Sequence, residues 1–353
     1  MPKKWNDLPI KAKWFANIQE TALTRAQAAM ENCFINKAGG HSRFPGLVDF
    51  STLGDAGRVY LSEWRGNLMA ATSEGRLYTV DGAGNATDVT GTPISGGHRV
   101  IFADTDTELL MAAGGPIITF DGTTTKKLSD NAPDSTHVAF IDNYVMAIET
   151  NSGRFQYTSP GAYDKWDPLD VLTADSKPDP LTALLITEYR EILLCGPQSI
   201  EQYERLSSGT TPFFRRWGVG EGIYAPYTLL AADNGAWGIN KQQEFVRISG
   251  ETSEDRSEDI DNTLEGIDDW TDAWVGGHPN KPLAILGQKF ILLQLPNATT
   301  PYGTKGLTLI YDYRQARWFT IYGWDAEKGL PTRWPGWSHW RIGNETYVGG
   351  EGK

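Results

Sequence analysis

Gly66–Asn67–Leu68–Met69–Ala70–Ala71–Thr72, followed by Gly75–Arg76–Leu77–Tyr78–Thr79–Val80–Asp81–Gly82, returns in a second version further along the chain. There it reads Thr107–Glu108–Leu109–Leu110–Met111–Ala112–Ala113, then Gly115–Pro116–Ile117–Ile118–Thr119–Phe120–Asp121–Gly122. Each half is a short apolar run bounded by turn residues, as a buried strand should be. A period of about 40 residues with several strands per period is the signature of a β-propeller blade. Such a fold is a rigid disc with loops on two faces. It serves docking and catalysis alike, so function has to be argued from the sites it carries.

Working outward from that pair, the pattern predicts an all-β propeller of six blades, with seven as the alternative count. The first blade is expected over 58–91 and the second over 98–130. A third takes in His137–Ile141, Tyr144–Glu149 and Phe155–Thr158, and a fourth Leu181–Thr187, Glu191–Cys195 and Ile200–Leu206. The fifth holds Tyr227–Ala232, Ala236–Asn240 and Glu244–Ser249. The sixth holds Pro282–Leu286, Phe290–Leu295, Leu307–Asp312 and Trp318–Tyr322. Residues 1–50 read as an N-terminal arm: a short helix of good helix formers at Thr21–Glu31, a strand at Asn32–Asn36, a turn at 37–40, and a Pro-stiffened connector from Arg43 to Leu47. The propeller is expected over 51–353. The last stretch, Thr346–Lys353, resembles 71–76 of the first blade but the chain then stops, so truncation within a blade is expected, or completion by the N-terminal strand, because open edges need cover. Glu251 to Asp269 breaks the repeat. It holds nine acids against Arg256 alone, with Ile260, Leu264 and Ile267 at helical spacing, and reads as an acidic insertion that is solvated or faces a partner.

The 353 residues carry a net charge of −12. That speaks against a reader that gains affinity by neutralising phosphates, while leaving room for a wall past which nucleic acid slides. The charge is uneven: residues 1–45 carry +4 and the remainder −16, so the arm is either a solvated basic segment or one that docks on an acidic neighbour. No apolar run is long enough to span a bilayer, and the basic start lacks the apolar stretch of a secretory signal. Cys33 and Cys195 are the only cysteines, so reduced thiols in a protein made in the cytoplasm are expected rather than a disulfide framework. The sequons at Asn85, Asn297 and Asn344 then carry no weight.

The search for chemistry assigns no catalytic, cofactor-binding or metal-binding residue. His41, His98, His137, His278 and His339 lack metal-ligand spacing. Gly218–Val219–Gly220–Glu221–Gly222 is followed by Pro226 rather than by a helix, and reads as a loop rather than a phosphate cradle. Asp255, Asp259 and Asp261 lack the spacing of a calcium loop. Two features keep a carbohydrate-binding or glycosidic propeller as the alternative. One is the acids Asp164, Asp167 and Asp170 beside Trp166, since glycosidic chemistry needs two carboxylates across one bond. The other is the crowd of Trp318, Trp324, Trp334, Trp337 and Trp340, whose faces either stack on sugars or fill space between blades.

Three short motifs in order suggest a family. Glu31–Asn32–Cys33–Phe34–Ile35–Asn36, Gly39–Gly40 and Ser42–Arg43–Phe44–Pro45–Gly46–Leu47 resemble the opening of the packaged-DNA stabilisation proteins, the tail hub or nozzle proteins of short-tailed bacteriophages. Phe140–Ile141–Asp142–Asn143–Tyr144 with Phe155, and the run from Glu191–Ile192–Leu193–Leu194–Cys195–Gly196 through Ser199–Ile200–Glu201–Gln202–Tyr203–Glu204 to Ser207–Ser208–Gly209, are similar to its middle. The resemblance spans roughly 30–325, and this chain is shorter at its C-terminus than such proteins usually are. It implies a structural virion protein, not an enzyme and without cofactor or metal: a propeller hub of the phage tail, assembled in the host cytoplasm. The implied partners are further copies in a ring, typically a homohexamer, the portal and head–tail adaptor, tail spikes or fibres, and DNA passing through the lumen without sequence-specific binding. No membrane insertion is implied. Arg43, Phe44, Pro45 and Gly46 are expected to fix the chain's path into the propeller.

Overall fold

The computed structural model describes residues 31–36, 40–174, 176–206, 211–276, 283–285 and 288–352. The basic arm over 1–30, with the expected helix apart from Glu31, lies outside the described residues, as do the tip of the 37–40 turn, Ser207–Ser208–Gly209 and His278.

Strand alternation builds the blades. Blade 1 is a meander of Val59–Trp64, Asn67–Thr72, Leu77–Val80 and Ala86–Asp88, each strand pairing antiparallel with the next. Successive side chains in a strand point to opposite faces. Leu68 and Ala70 therefore enter one apolar cluster and Met69 and Ala71 another. Blade 2, over 101–127, repeats the arrangement: Leu109 and Met111 face blade 1, Leu110 and Ala112 face blade 3. Both faces of a middle strand are thus buried, which is why these runs read as continuous apolar stretches.

Blades 3 to 6 occupy 138–173, 183–219, 230–255 and 274–320, and every blade has the meander order. The protein is an all-β propeller with six four-stranded blades, as the repeat predicts. Two corrections concern strands within them. The inner strand of blade 6 is Trp274–Val275, paired with Leu293 and Gln294; Leu283–Ile285, expected to open that blade, instead pairs with the near end of Gln288–Thr299. The acidic stretch does not stand outside the repeat. Thr252–Asp255 is the outer strand of blade 5. Ile260, Leu264, Ile267 and Trp270 beyond it are buried between blades 5 and 6, leaving Glu258, Glu265, Asp268 and Asp269 exposed.

A hairpin of Ser338–Ile342 and Glu345–Gly349 takes a further place in the ring, between blades 6 and 1. Ser338 Oγ donates to Val59 O (2.8 Å) and accepts from Leu61 N (3.0 Å). Val59 N reaches Gly350 O and Leu53 N reaches Gly352 O. Closure therefore falls to this hairpin, not to the N-terminal strand. Cys33–Ile35 pairs with His41–Arg43, and Asn32 N bonds Thr320 O at the outer strand of blade 6. Phe34 is fully buried, with Phe44 at 5.0 Å and Phe290 at 5.1 Å between ring centres. Phe44 so packs the arm against blade 6. A Cβ at Gly46 would meet nothing within 4 Å, so packing does not require glycine there. Cys33 and Cys195 are both buried free thiols.

Candidate functional site

The inner strands surround a central channel that holds a cavity of about 620 Å³. Its upper mouth is where those strands begin and its lower mouth is where they turn into their hairpins. The two differ in chemistry.

At the upper mouth, Arg99 leads into Ile101–Asp104, His137 into Val138–Ile141, and Tyr227 stands before Leu230–Ala232. Tyr227 stacks on His137 with ring centres 5.6 Å apart and an interplanar angle of 12°. Its hydroxyl lies 3.1 Å from His98 Nδ1. His137 is 4% exposed, and burial, aided by His98, pushes its pKa down to about 3. Burial pushes the Tyr227 hydroxyl the other way, above its usual range. The Arg99 guanidinium donates to Trp337 O at 2.7 Å and lies over the rings of Tyr60 (5.0 Å) and Trp274 (4.6 Å). Burial lowers its pKa to about 10, against the pull of Tyr60, Tyr227 and Asp272. Beside it, Arg58 and Arg333 lie 4.0 and 4.1 Å from the centre of the Trp337 ring.

The waist of the channel is apolar, with Ile101, Ala139, Leu184 and Val275. The lower mouth is acidic, and turn chemistry explains part of that. The hairpins at Asp142–Asn143 and Asp233–Asn234 hold both residues at positive φ (49° and 66°; 48° and 59°), a turn that selects Asp, Asn and Gly. Glu63, Asp104, Asp106 and Glu188 join those two aspartates where strands turn, against Arg65, Arg190 and Arg205, the last 3.5 Å from Asp142. Arg190 pairs with Asp142, and Arg65 caps the carbonyls of Asp106 and Thr107. Burial raises the pKa of Asp104; Arg65 opposes this, and Asp106 and Glu63 add to it.

The residues singled out in the sequence separate. His98 and His137 meet Tyr227 at the upper mouth, His339 lines the cavity against Gly276, and no three metal-ligating side chains converge among the described residues. Gly218–Gly222 spans the end of blade 4's outer strand and the loop after it. Asp164 and Asp167 are exposed on the loop beside buried Trp166, whose Nε1 donates to Tyr163 O. Trp318, Trp337 and Trp340 are 3–4% exposed and fill space between neighbours; Trp324 is 66% exposed. Sequence reading missed Arg99, Tyr60 and Tyr227. Their one signal was position, immediately before or within an inner strand.

A family model described as Bacteriophage P22 Gp10, beta-propeller matches residues 26–350. No curated protein matches the sequence. Among solved structures, the chain is similar to the extracellular domain of a putative hybrid two component system from B. thetaiotaomicron (12% identity, TM-score 0.56) and to the same domain described as a putative one component system (12%, 0.54). Each match covers 86% of this chain and 38% of that one, so the chain spans about two fifths of their length. Virginiamycin B lyase from Staphylococcus aureus is similar at 12% identity and a TM-score of 0.48, over 74% of this chain and 84% of that one. Likeness at these identities shows the fold and no shared chemistry.

Proposed function

The chain belongs to the bacteriophage P22 Gp10 β-propeller family of phage stabilisation proteins, and from that premise we propose that it is a tail hub or nozzle subunit. In this reading copies assemble into a ring, a homohexamer, below the portal and its adaptor. The ring extends the DNA conduit, helps retain packaged DNA and offers docking sites to spikes or fibres.

The observation that carries the reading is the family match across nearly the whole propeller. The acidic lower mouth supports it: carboxylates facing a duplex repel phosphates and give DNA nothing to adhere to. The carbohydrate alternative draws some support from Glu63 and Asp104 on the channel wall. Trp340 beside them is buried, with its Nε1 directed to Glu63 at 3.3 Å, so it offers no free face for a sugar.

The test is native mass spectrometry of the purified chain alongside filter binding of duplex DNA at about 0.15 M salt. The proposal expects a closed oligomer and no retained DNA. A persistent monomer at high concentration contradicts the hub, and tight DNA binding contradicts the sliding conduit.

A further inference from the structure

The upper mouth of the channel has a feature that the hub reading does not use. Arg99 is half-buried at the cavity wall, and among the described residues no carboxylate lies within ion-pair distance of it. The nearby acid, Asp272, is held by Arg58 at 2.7 Å. A guanidinium has five N–H donors in one plane, and a single protein acceptor, Trp337 O, is in place for Arg99. Tyr60 and Trp274 lie against the guanidinium, a contact that steadies the charge through the rings' quadrupoles without meeting its donors. A cation held partly out of water without an ion-pair partner leaves donors on its cavity side that a counter-ion can meet. Arg99 lines the cavity together with Tyr60, His137, Tyr227 and His339, so the counter-ion has a walled space to occupy.

We propose that the upper mouth is an oxyanion-binding site for a small solute, with the Arg99 guanidinium gripping a carboxylate or phosphate group and Tyr60 and Tyr227 walling its flanks. A planar fork matches both groups in two parallel hydrogen bonds. The apolar waist below takes the body of the solute. This site stands whether or not the chain forms a ring, since every residue in it comes from one copy.

The test is calorimetric titration of the full chain with inorganic phosphate and, separately, acetate, at ionic strength held constant with sodium chloride. The proposal expects saturable one-to-one binding of at least one of them. Preference for phosphate marks a phosphorylated solute, and preference for acetate a carboxylate. Arg99→Gln is expected to weaken binding about tenfold or more. Arg99→Lys, which keeps the charge without the fork, is expected to fall between. Thermal melts establish that each variant is folded. Absence of saturation by either anion in the unaltered chain overturns the site, and so does undiminished affinity in folded Arg99→Gln.

Discussion

His137 shows what a single side chain contributes when the fold closes around it. Its ring is covered by Tyr227 and shielded from water, with Thr136 Oγ1 3.1 Å from its Nδ1. A free histidine titrates near 6.5; here the folded state refuses the proton until about pH 3. The folded pKa is depressed, so His137 supports stability above about pH 6.5, and that support is lost as pH falls through the window toward 3. The slope from this one group is about 1.4 kcal/mol per pH unit. Urea-unfolding free energies measured from pH 7 to pH 4 should therefore decline, and folded His137→Phe should lose about one proton's worth of that decline. An unchanged slope would show that the ring already accepts its proton in the native state. None of this was legible in the sequence. His137 stood there as one of five scattered histidines, and the partner that buries it lies in a loop two blades away.

At the scale of elements, legibility follows burial. Middle strands such as Leu109–Ala112 and Ile192–Cys195 are packed on both faces, so their apolar runs betray them. Outer strands carry no such mark: Phe213–Val219 is mostly exposed, and the sequence reading assigned no strand there. Thr252–Asp255 hid in the same way inside an acidic run. Of the closing hairpin, Ser338–Ile342 with Glu345–Gly349, only the second strand was read as part of a blade, because the first mixes buried Trp340 with Arg341 and His339. Its attachment rests heavily on Ser338, whose hydroxyl both donates to and accepts from the inner strand of blade 1. Ser338→Ala leaves Leu61 N and Val59 O without that partner, at a cost of about 1–3 kcal/mol. A fall in chemical-denaturation midpoint, with faster hydrogen exchange at 59–61, is the expected signature. Unaltered stability would place the closure in the backbone contacts of 350–352 instead.

For the whole molecule, the fold class and the family could be read from repeat and motif order, and the channel could not. Its two mouths are assembled from residues spread over nearly three hundred positions, each unremarkable alone. Together they make a disc with a cationic, aromatic upper mouth and an acidic lower one, and the excess of carboxylates in the sequence is in part a property of that lower face. In the proposed tail hub, such polarity would let the acidic face pass DNA without holding it. The most direct measurement is antibody labelling of phage particles that carry this chain, viewed by electron microscopy. The account predicts label at the tail vertex. Unlabelled particles, with the protein soluble in the lysate, would contradict it.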